Sequence, residues 1–221
     1  MRWWSRRWCS AEESSPRESL RGIRLTLPGW NEGVPDQDSR TWRDSDGDLL
    51  GLDVVAGIGY PFGADEREQR RWCRELAEAR GGGLIEVHGI DSGAGVSVRF
   101  IYKRMQVKTT GYTYTGMLVT PVEPGFSIWT IVAGERGTSG LREATVTASL
   151  LKAGKLRLED YERCWFQDPY EPAYKGVDRI VLHSISDDET YDEQFPWHPL
   201  SKVRHVLALL PSAVQFDSQR P

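Results

Sequence analysis

The sequence predicts an α+β fold, an antiparallel β-sheet of about six to seven strands with helices packed on both faces. Three observations support it. Four strand-like segments follow one another between residues 84 and 133, separated only by short glycine-containing turns, as in consecutive hairpins. Amphipathic helical patterns precede and follow this run. The segment 125–133 is apolar on both faces, which is typical of a central strand covered from both sides.

The elements before the hairpins are predicted from alternation and turn residues. Residues 23–27 alternate as a strand, and a short second strand contains Trp42. The Asp46-Gly47 pair predicts the turn into a third strand at 49–55. A helix is predicted over 65–80, because Asp65 is a suitable N-cap and three glycines follow the last turn.

The later elements are predicted in the same way. The hairpin strands fall at 84–90, 95–106, 111–122 and 125–133. A second helix ends at Gly154, and a last helix ends before Pro211, where a proline is expected to stop it. Residues 180–185 are predicted as an edge strand. The apolar face of the second helix is expected to hold Leu141, Ala144, Ala148 and Leu151.

Length favours a single domain. The chain has 221 residues, within the range that one hydrophobic core serves. We expect a disordered or mis-started tail over residues 1–20, one α+β domain over 21–212 and a C-terminal tail over 213–221.

Composition excludes several classes of function. The net charge of −4 argues against a nucleic-acid binder. No apolar run is long enough for a membrane span, and the three cysteines form neither a disulfide framework nor a zinc pattern. We therefore expect a cytoplasmic protein without a metal or another cofactor.

Two motifs have the composition of ligand sites but miss the full pattern. Asp44, Asp46 and Asp48 lack the glycine and glutamate spacing of a calcium loop, so an acidic hairpin turn is expected. The turn over 134–140 joins a strand to a helix start, where backbone N–H groups can hold an anion, although it lacks the lysine of a phosphate-binding loop. Either a structural turn capped by Thr138 or Ser139, or a weak anion site, fits it. The anion site would comprise Arg136, Gly137, Thr138, Ser139 and Gly140.

The C-terminal third is rich in aromatic and acidic residues. Such a mixture can form a protein interface, because aromatic side chains offer rigid area with a polar tip. Alternatively, the aromatic side chains pin an irregular segment onto the sheet. The predicted interface comprises Trp165, Tyr170, Tyr174 and Trp197, with Asp187, Asp188 and Glu189 as its polar rim.

Several phrases resemble those of a family of uncharacterised bacterial proteins: LPGW at 27–30, AGERGTSGLREA at 133–144, DPYEPAY at 168–174 and FPWHPLSKVR at 195–204. The strand order over roughly 22–210 is similar to the PsbP-like fold. That fold serves the extrinsic photosystem subunit, small Ran-binding factors and bacterial chaperone-like adaptors. The resemblance implies protein binding and transfers no catalytic motif.

The function expected from these observations is that of a non-catalytic protein-binding or adaptor/chaperone-like module of a bacterial cytoplasm. Its protein partner is not identified by the sequence. The alternative is a small-molecule-binding protein or enzyme that uses the turn over 134–140, together with Glu135, Arg136 and His88. A deep pocket joining these residues would favour that alternative.

Overall fold

The computed structural model describes residues 23–34, 39–56, 60–63, 65–91, 95–107, 109–122, 125–157, 159 and 165–216. The predicted tail over 1–20 lies outside these ranges. The fold is α+β, as predicted, with a seven-stranded antiparallel sheet and helices on both of its faces.

Nine strands and three α-helices lie in the described ranges, numbered in chain order. The strands are β1 (Ile23–Leu25), β2 (Asn31–Glu32), β3 (Ser39–Arg43), β4 (Leu49–Ala56), β5 (Gly83–Asp91), β6 (Val96–Met105), β7 (Tyr112–Val122), β8 (Gly125–Gly134) and β9 (Val214–Phe216). The helices are α1 (Glu66–Glu78), α2 (Leu141–Lys152) and α3 (Pro199–Ala213).

The main sheet has the spatial order β2-β3-β4-β8-β7-β6-β5. Every neighbouring pair is antiparallel. Strand β8 lies fourth of the seven strands, so its apolar residues face a layer on each side, as the sequence predicts.

Helix α1 covers one face of the sheet, against β5 and β6. It begins where Asp65 accepts a hydrogen bond from the Arg67 amide at 2.8 Å, so the predicted N-cap is confirmed. Cys73 and Ala77 face inward and are fully buried with Phe100 of β6. This face thus has its own apolar core.

Helix α3 covers the opposite face, against β7 and β8. Glycine at position 116 allows the close approach. A Cβ atom there would lie 2.5 Å from Val203 Cγ1 and 2.6 Å from Leu207 Cδ1. The second core therefore depends on a glycine that faces the helix.

The chain continues past the predicted end of the last helix. Helix α3 includes Pro211 in its final turn, where the missing amide removes a single helical hydrogen bond. Strand β9 follows directly and pairs antiparallel with β1 in a separate two-stranded sheet. Residues 214–216, which the sequence assigns to a tail, thus contribute hydrogen-bonded structure to the fold.

The predicted edge strand over 180–185 is wrong. Three short 3-10 helices, Arg179–Val181, Ile185–Asp187 and Glu189–Tyr191, occupy this part of the chain. The cause is local, because aspartate side chains accept hydrogen bonds from nearby backbone amides and start tight turns. Asp178 accepts from Ile180 N at 3.2 Å, and Asp188 accepts from Thr190 N at 2.9 Å.

Within the described ranges, the model contains no helix with both the length and the apolar character that crossing a membrane requires.

Candidate functional site

A buried ion pair anchors the acidic C-terminal segment to the sheet. Lys103 Nζ of β6 lies 2.5 Å from Asp187 Oδ2, and both side chains are buried. Burial disfavours the charged carboxylate, but Lys103 and the Ser184 amide outweigh it and hold the pKa of Asp187 at about 2. Asp187 was predicted in the rim of an interface, and the structure places it inside the protein.

Arg142 of α2 holds the next part of the segment. Its guanidinium is buried and donates to Ser186 O at 2.6 Å and to Asp188 O at 2.9 Å. It also donates to Asp192 Oδ1 at 2.9 Å and to Ser201 Oγ at 2.8 Å. One side chain thereby joins α2, the acidic segment and α3.

Burial of Arg142 changes the orientation predicted for α2. Arg142 and Val146 are its buried residues, while Leu141, Ala144 and Ala148 are exposed. The predicted apolar face is wrong for those three residues, because the fully bonded arginine takes the inward position.

Arg204 of α3 forms the third anchor. It donates to Glu86 Oε2 of β5 at 2.6 Å, to Asp192 Oδ1 at 2.9 Å and to Asp187 O at 2.6 Å. Burial favours the neutral form of Glu86, but His88 and Arg204 lower its pKa to about 2. Residues 186–192 are therefore held by charged side chains from a strand and two helices.

The turn over 134–140 receives an anion from the chain itself. The Glu135 carboxylate accepts from Tyr112 N at 2.8 Å and from Gly140 N at 3.1 Å, and it lies 3.4 Å from His198 Nε2. Gly140 is the N-cap of α2, and no side chain caps it, so the predicted cap by Thr138 or Ser139 is wrong. An internal carboxylate thus occupies the helix start proposed for an external anion.

The other residues of the predicted anion site either contact neighbouring side chains or are exposed to solvent. Arg136 pairs with Asp48. Ser139 Oγ lies 2.9 Å from Thr110 Oγ1. Gly137 has a φ of 71° and is exposed, as is Thr138. These contacts describe a braced turn.

Lys202 pairs with all three carboxylates of the acidic hairpin between β3 and β4. Carboxylate oxygens of Asp44, Asp46 and Asp48 lie within 4.8 Å of one another. Lys202 Nζ lies 2.5 Å from Asp44, 2.7 Å from Asp46 and 2.7 Å from Asp48. The lysine ammonium therefore stands where a metal ion would be coordinated.

Three of the four aromatic residues of the predicted interface pin the segment to the body. Trp165 is 1% exposed. The Tyr170 hydroxyl donates to Val87 O at 3.1 Å and accepts from Val87 N at 2.7 Å, and its ring lies under Arg70. Tyr174 donates to Glu78 Oε2 at 2.8 Å. These contacts match the alternative in which aromatic side chains hold an irregular segment.

Trp197 is the fourth and is 93% exposed. Leu141 is 57% exposed and Val107 is 92% exposed. Each of the three is next in sequence to a residue that contacts Glu135, namely His198, Gly140 and Gln106. We call these three apolar residues, together with the exposed carboxylates Asp188, Glu189 and Glu193 of the acidic segment that Arg142 holds, the Trp197 surface.

The predicted interface includes Trp197, Asp188 and Glu189 of this surface but not Val107, Leu141 or Glu193. Leu141 was assigned to a buried stripe, and Val107 lies alone among polar residues of a hairpin end. Their sequence neighbours Gln106 and Gly140 both contact Glu135, and the structure thereby places them at the same end of the sheet.

A shallow depression of about 180 Å³ lies between α1 and β5, on the face of the sheet that α1 covers. His88 and Arg70 line it, together with Glu66 and Gln69. None of its lining residues belongs to the turn over 134–140, so it does not join the groups that the small-molecule alternative requires.

No family model and no curated protein sequence matches this chain. Solved structures with a similar chain trace include a point mutant of the protein Mog1, at 10% identity and a TM-score of 0.39, covering 58% of this chain and 78% of that one. Another is the Saccharomyces cerevisiae Ran-binding protein Mog1p, at 12% identity and a TM-score of 0.38, covering 62% and 80%. No residue role is transferred from either.

Proposed function

We propose that this protein is a non-catalytic protein-binding module, of an adaptor or chaperone-like kind, that acts in a bacterial cytoplasm. The observation that carries the proposal is the 93% exposure of Trp197. The exposed Leu141 and Val107 are, like Trp197, next in sequence to residues that contact Glu135. Exposed tryptophan is costly in water and is enriched among the residues that dominate protein interfaces.

The support beneath Trp197 favours binding. Phe195 N donates to Asp192 O and His198 N donates to Phe195 O, both in tight turns, at 3.1 and 3.0 Å. Arg142 fixes the two ends of this stretch through Asp188 and Ser201. A surface that is already ordered loses less conformational entropy when a partner binds.

The small-molecule alternative gains no comparable support. Its central turn over 134–140 is filled by the Glu135 carboxylate, and Arg136 is paired with Asp48. The depression beside His88 lies apart from that turn.

The test compares affinity capture by the wild-type chain with capture by two variants. Trp197→Ala removes the proposed anchor, and Val34→Ala removes a valine of similar exposure beside β2. We expect Trp197→Ala to weaken a saturable protein complex by more than about tenfold, as hot-spot truncations do, while the Val34→Ala complex is unchanged. Equal loss in both variants, or none in either, would contradict the proposal.

A further inference from the structure

We infer that the Trp197 surface takes a basic segment of a partner protein, one that carries arginine or lysine beside an apolar side chain. The inference rests on the proposed function and adds the chemistry of the partner. Its basis is that, within the part of the chain that the structure describes, the carboxylates of this surface form no ion pair, whereas the acidic groups beside them do.

The contrast between neighbouring carboxylates is clear. Asp187 pairs with Lys103, and Asp192 pairs with Arg142 and Arg204. By contrast, Asp188, Glu189 and Glu193 are exposed and have no ion-pair partner among the described residues. The carboxylates of Asp187 and Asp192 are paired with cations, and the exposed carboxylates leave a net negative charge on the surface of the segment.

The acidic segment is attached to the start of the helix that carries Leu141. Arg142 follows Leu141 in α2 and donates to Asp188 O at 2.9 Å, which holds the backbone of the acidic segment close to the first turn of α2. The tight turns over 189–198 then carry the chain from Glu189 to Trp197. A segment that covers Trp197 therefore passes carboxylates with which a basic side chain can pair.

Charge also decides against other occupants. A second copy docked through the same surface would oppose two acidic rims, as symmetric contacts require. Nucleic acid and anionic membranes would be repelled for the same reason. A basic protein segment matches both the charge and the apolar centre.

The experiment measures binding of a labelled synthetic peptide that alternates arginine with leucine. Its counterpart has glutamate in place of every arginine and serves as the charge control. Binding is measured by fluorescence anisotropy on the full chain at low and high salt. We expect saturable binding of the basic peptide alone, weakened by salt because exposed charges are screened.

Three variants locate the site. The double variant Glu189→Lys and Glu193→Lys reverses the rim, and Trp197→Ala removes the apolar centre. Each is expected to lower the affinity for the basic peptide by about tenfold or more. Glu75→Lys is the matched control, because Glu75 is exposed on α1 at the opposite face, and it should bind as wild type.

The outcomes separate the two proposals. If Trp197→Ala impairs capture of a cellular partner while the charge reversal changes neither capture nor peptide binding, the basic partner is excluded and the binding function stands. If neither change affects capture, both proposals fail. Peptide binding that Glu75→Lys weakens equally would also overturn the inference.

One further arm examines the chain's own N-terminal residues, since residues 2–8 contain three arginines and three tryptophans. In the full chain with Trp3→Ala, Trp4→Ala and Trp8→Ala, we expect unchanged affinity for the basic peptide. Tighter binding would mean that these residues compete for the surface, and it would overturn the assignment to a separate partner.

Discussion

The ion pair of Lys103 with Asp187 places one residue of the acidic segment inside the protein. Their sequence positions are 84 apart, and both side chains are buried where they meet. Removing one member of such a pair leaves the other charged and unpaired in the interior.

We expect Lys103→Met to lower the free energy of unfolding by about 3–5 kcal/mol. The double variant Lys103→Met and Asp187→Leu should be more stable than Lys103→Met alone, because no unpaired charge remains. Urea unfolding measures all the variants, with the exposed Lys155→Met as the control. The account would be contradicted if the loss of unfolding free energy in the double variant equalled the sum of the losses in Lys103→Met and Asp187→Leu.

Acid should destabilise the protein by protonating carboxylates whose pKa folding lowers, among them the buried Asp187 and the partly buried Glu86. Folding lowers the pKa of Asp187 from 3.8 to about 2, and that of Glu86 from 4.5 to about 2. A lowered folded pKa contributes stability above the unfolded value, and that stability is lost as the pH falls toward the folded value.

We therefore expect the free energy of unfolding to fall steadily between about pH 4.5 and pH 2. Glu86→Gln should flatten this dependence, because it removes one of the carboxylates whose pKa folding lowers most. Urea titrations at stepped pH test it, with Glu75→Gln as the exposed control. An unchanged slope in Glu86→Gln would exclude Glu86 as a source.

The outward and inward directions of these side chains could not be predicted from sequence. Asp187, Asp188 and Glu189 form one acidic run, yet only the first is buried. The run spans the junction of two 3-10 helices, so its side chains point in different directions, and Asp187 faces inward where it meets the distant Lys103. Local charge pattern contains no information about that lysine.

At the scale of elements, helices and strands with strong local sequence signals were predicted correctly. The hairpin strands and α1 were predicted because glycine turns, alternation and an aspartate N-cap lie within a few residues of each element. The same reasoning failed for three residues of α2, since Leu141, Ala144 and Ala148 face outward while Arg142 faces inward to four acceptors elsewhere in the chain. It failed again for 180–185, where aspartate side chains nucleate turns.

The contact of α3 with β7 gives a prediction at this scale. Gly116→Ala should lower the free energy of unfolding by about 1–3 kcal/mol, since its Cβ would overlap Val203 and Leu207. Gly51→Ala in β4 is the matched control, because the nearest atom to its Cβ is 3.9 Å away. Chemical unfolding measures the free energy of unfolding of both variants. An equal change from wild type in the two variants would rule out close packing at Gly116.

The described residues combine an apolar core on each face of the sheet, a smaller apolar cluster around Trp165 and one charged layer. The cores lie on the two faces of the sheet, and β1 pairs with β9 beyond α3. The charged layer joins α2, α3 and β5 to residues 186–192. This arrangement leaves Trp197 exposed at one end of the sheet, on a stretch of chain that is held from both sides.

The measurement that tests the binding function most directly is site-specific photo-crosslinking in the native cell. A photoreactive amino acid replaces Trp197 in one variant and Val34 in the other, both of which are exposed. We predict a discrete protein adduct from position 197 and none from position 34. The absence of an adduct at 197, or the same adducts from both positions, would contradict a binding surface at Trp197.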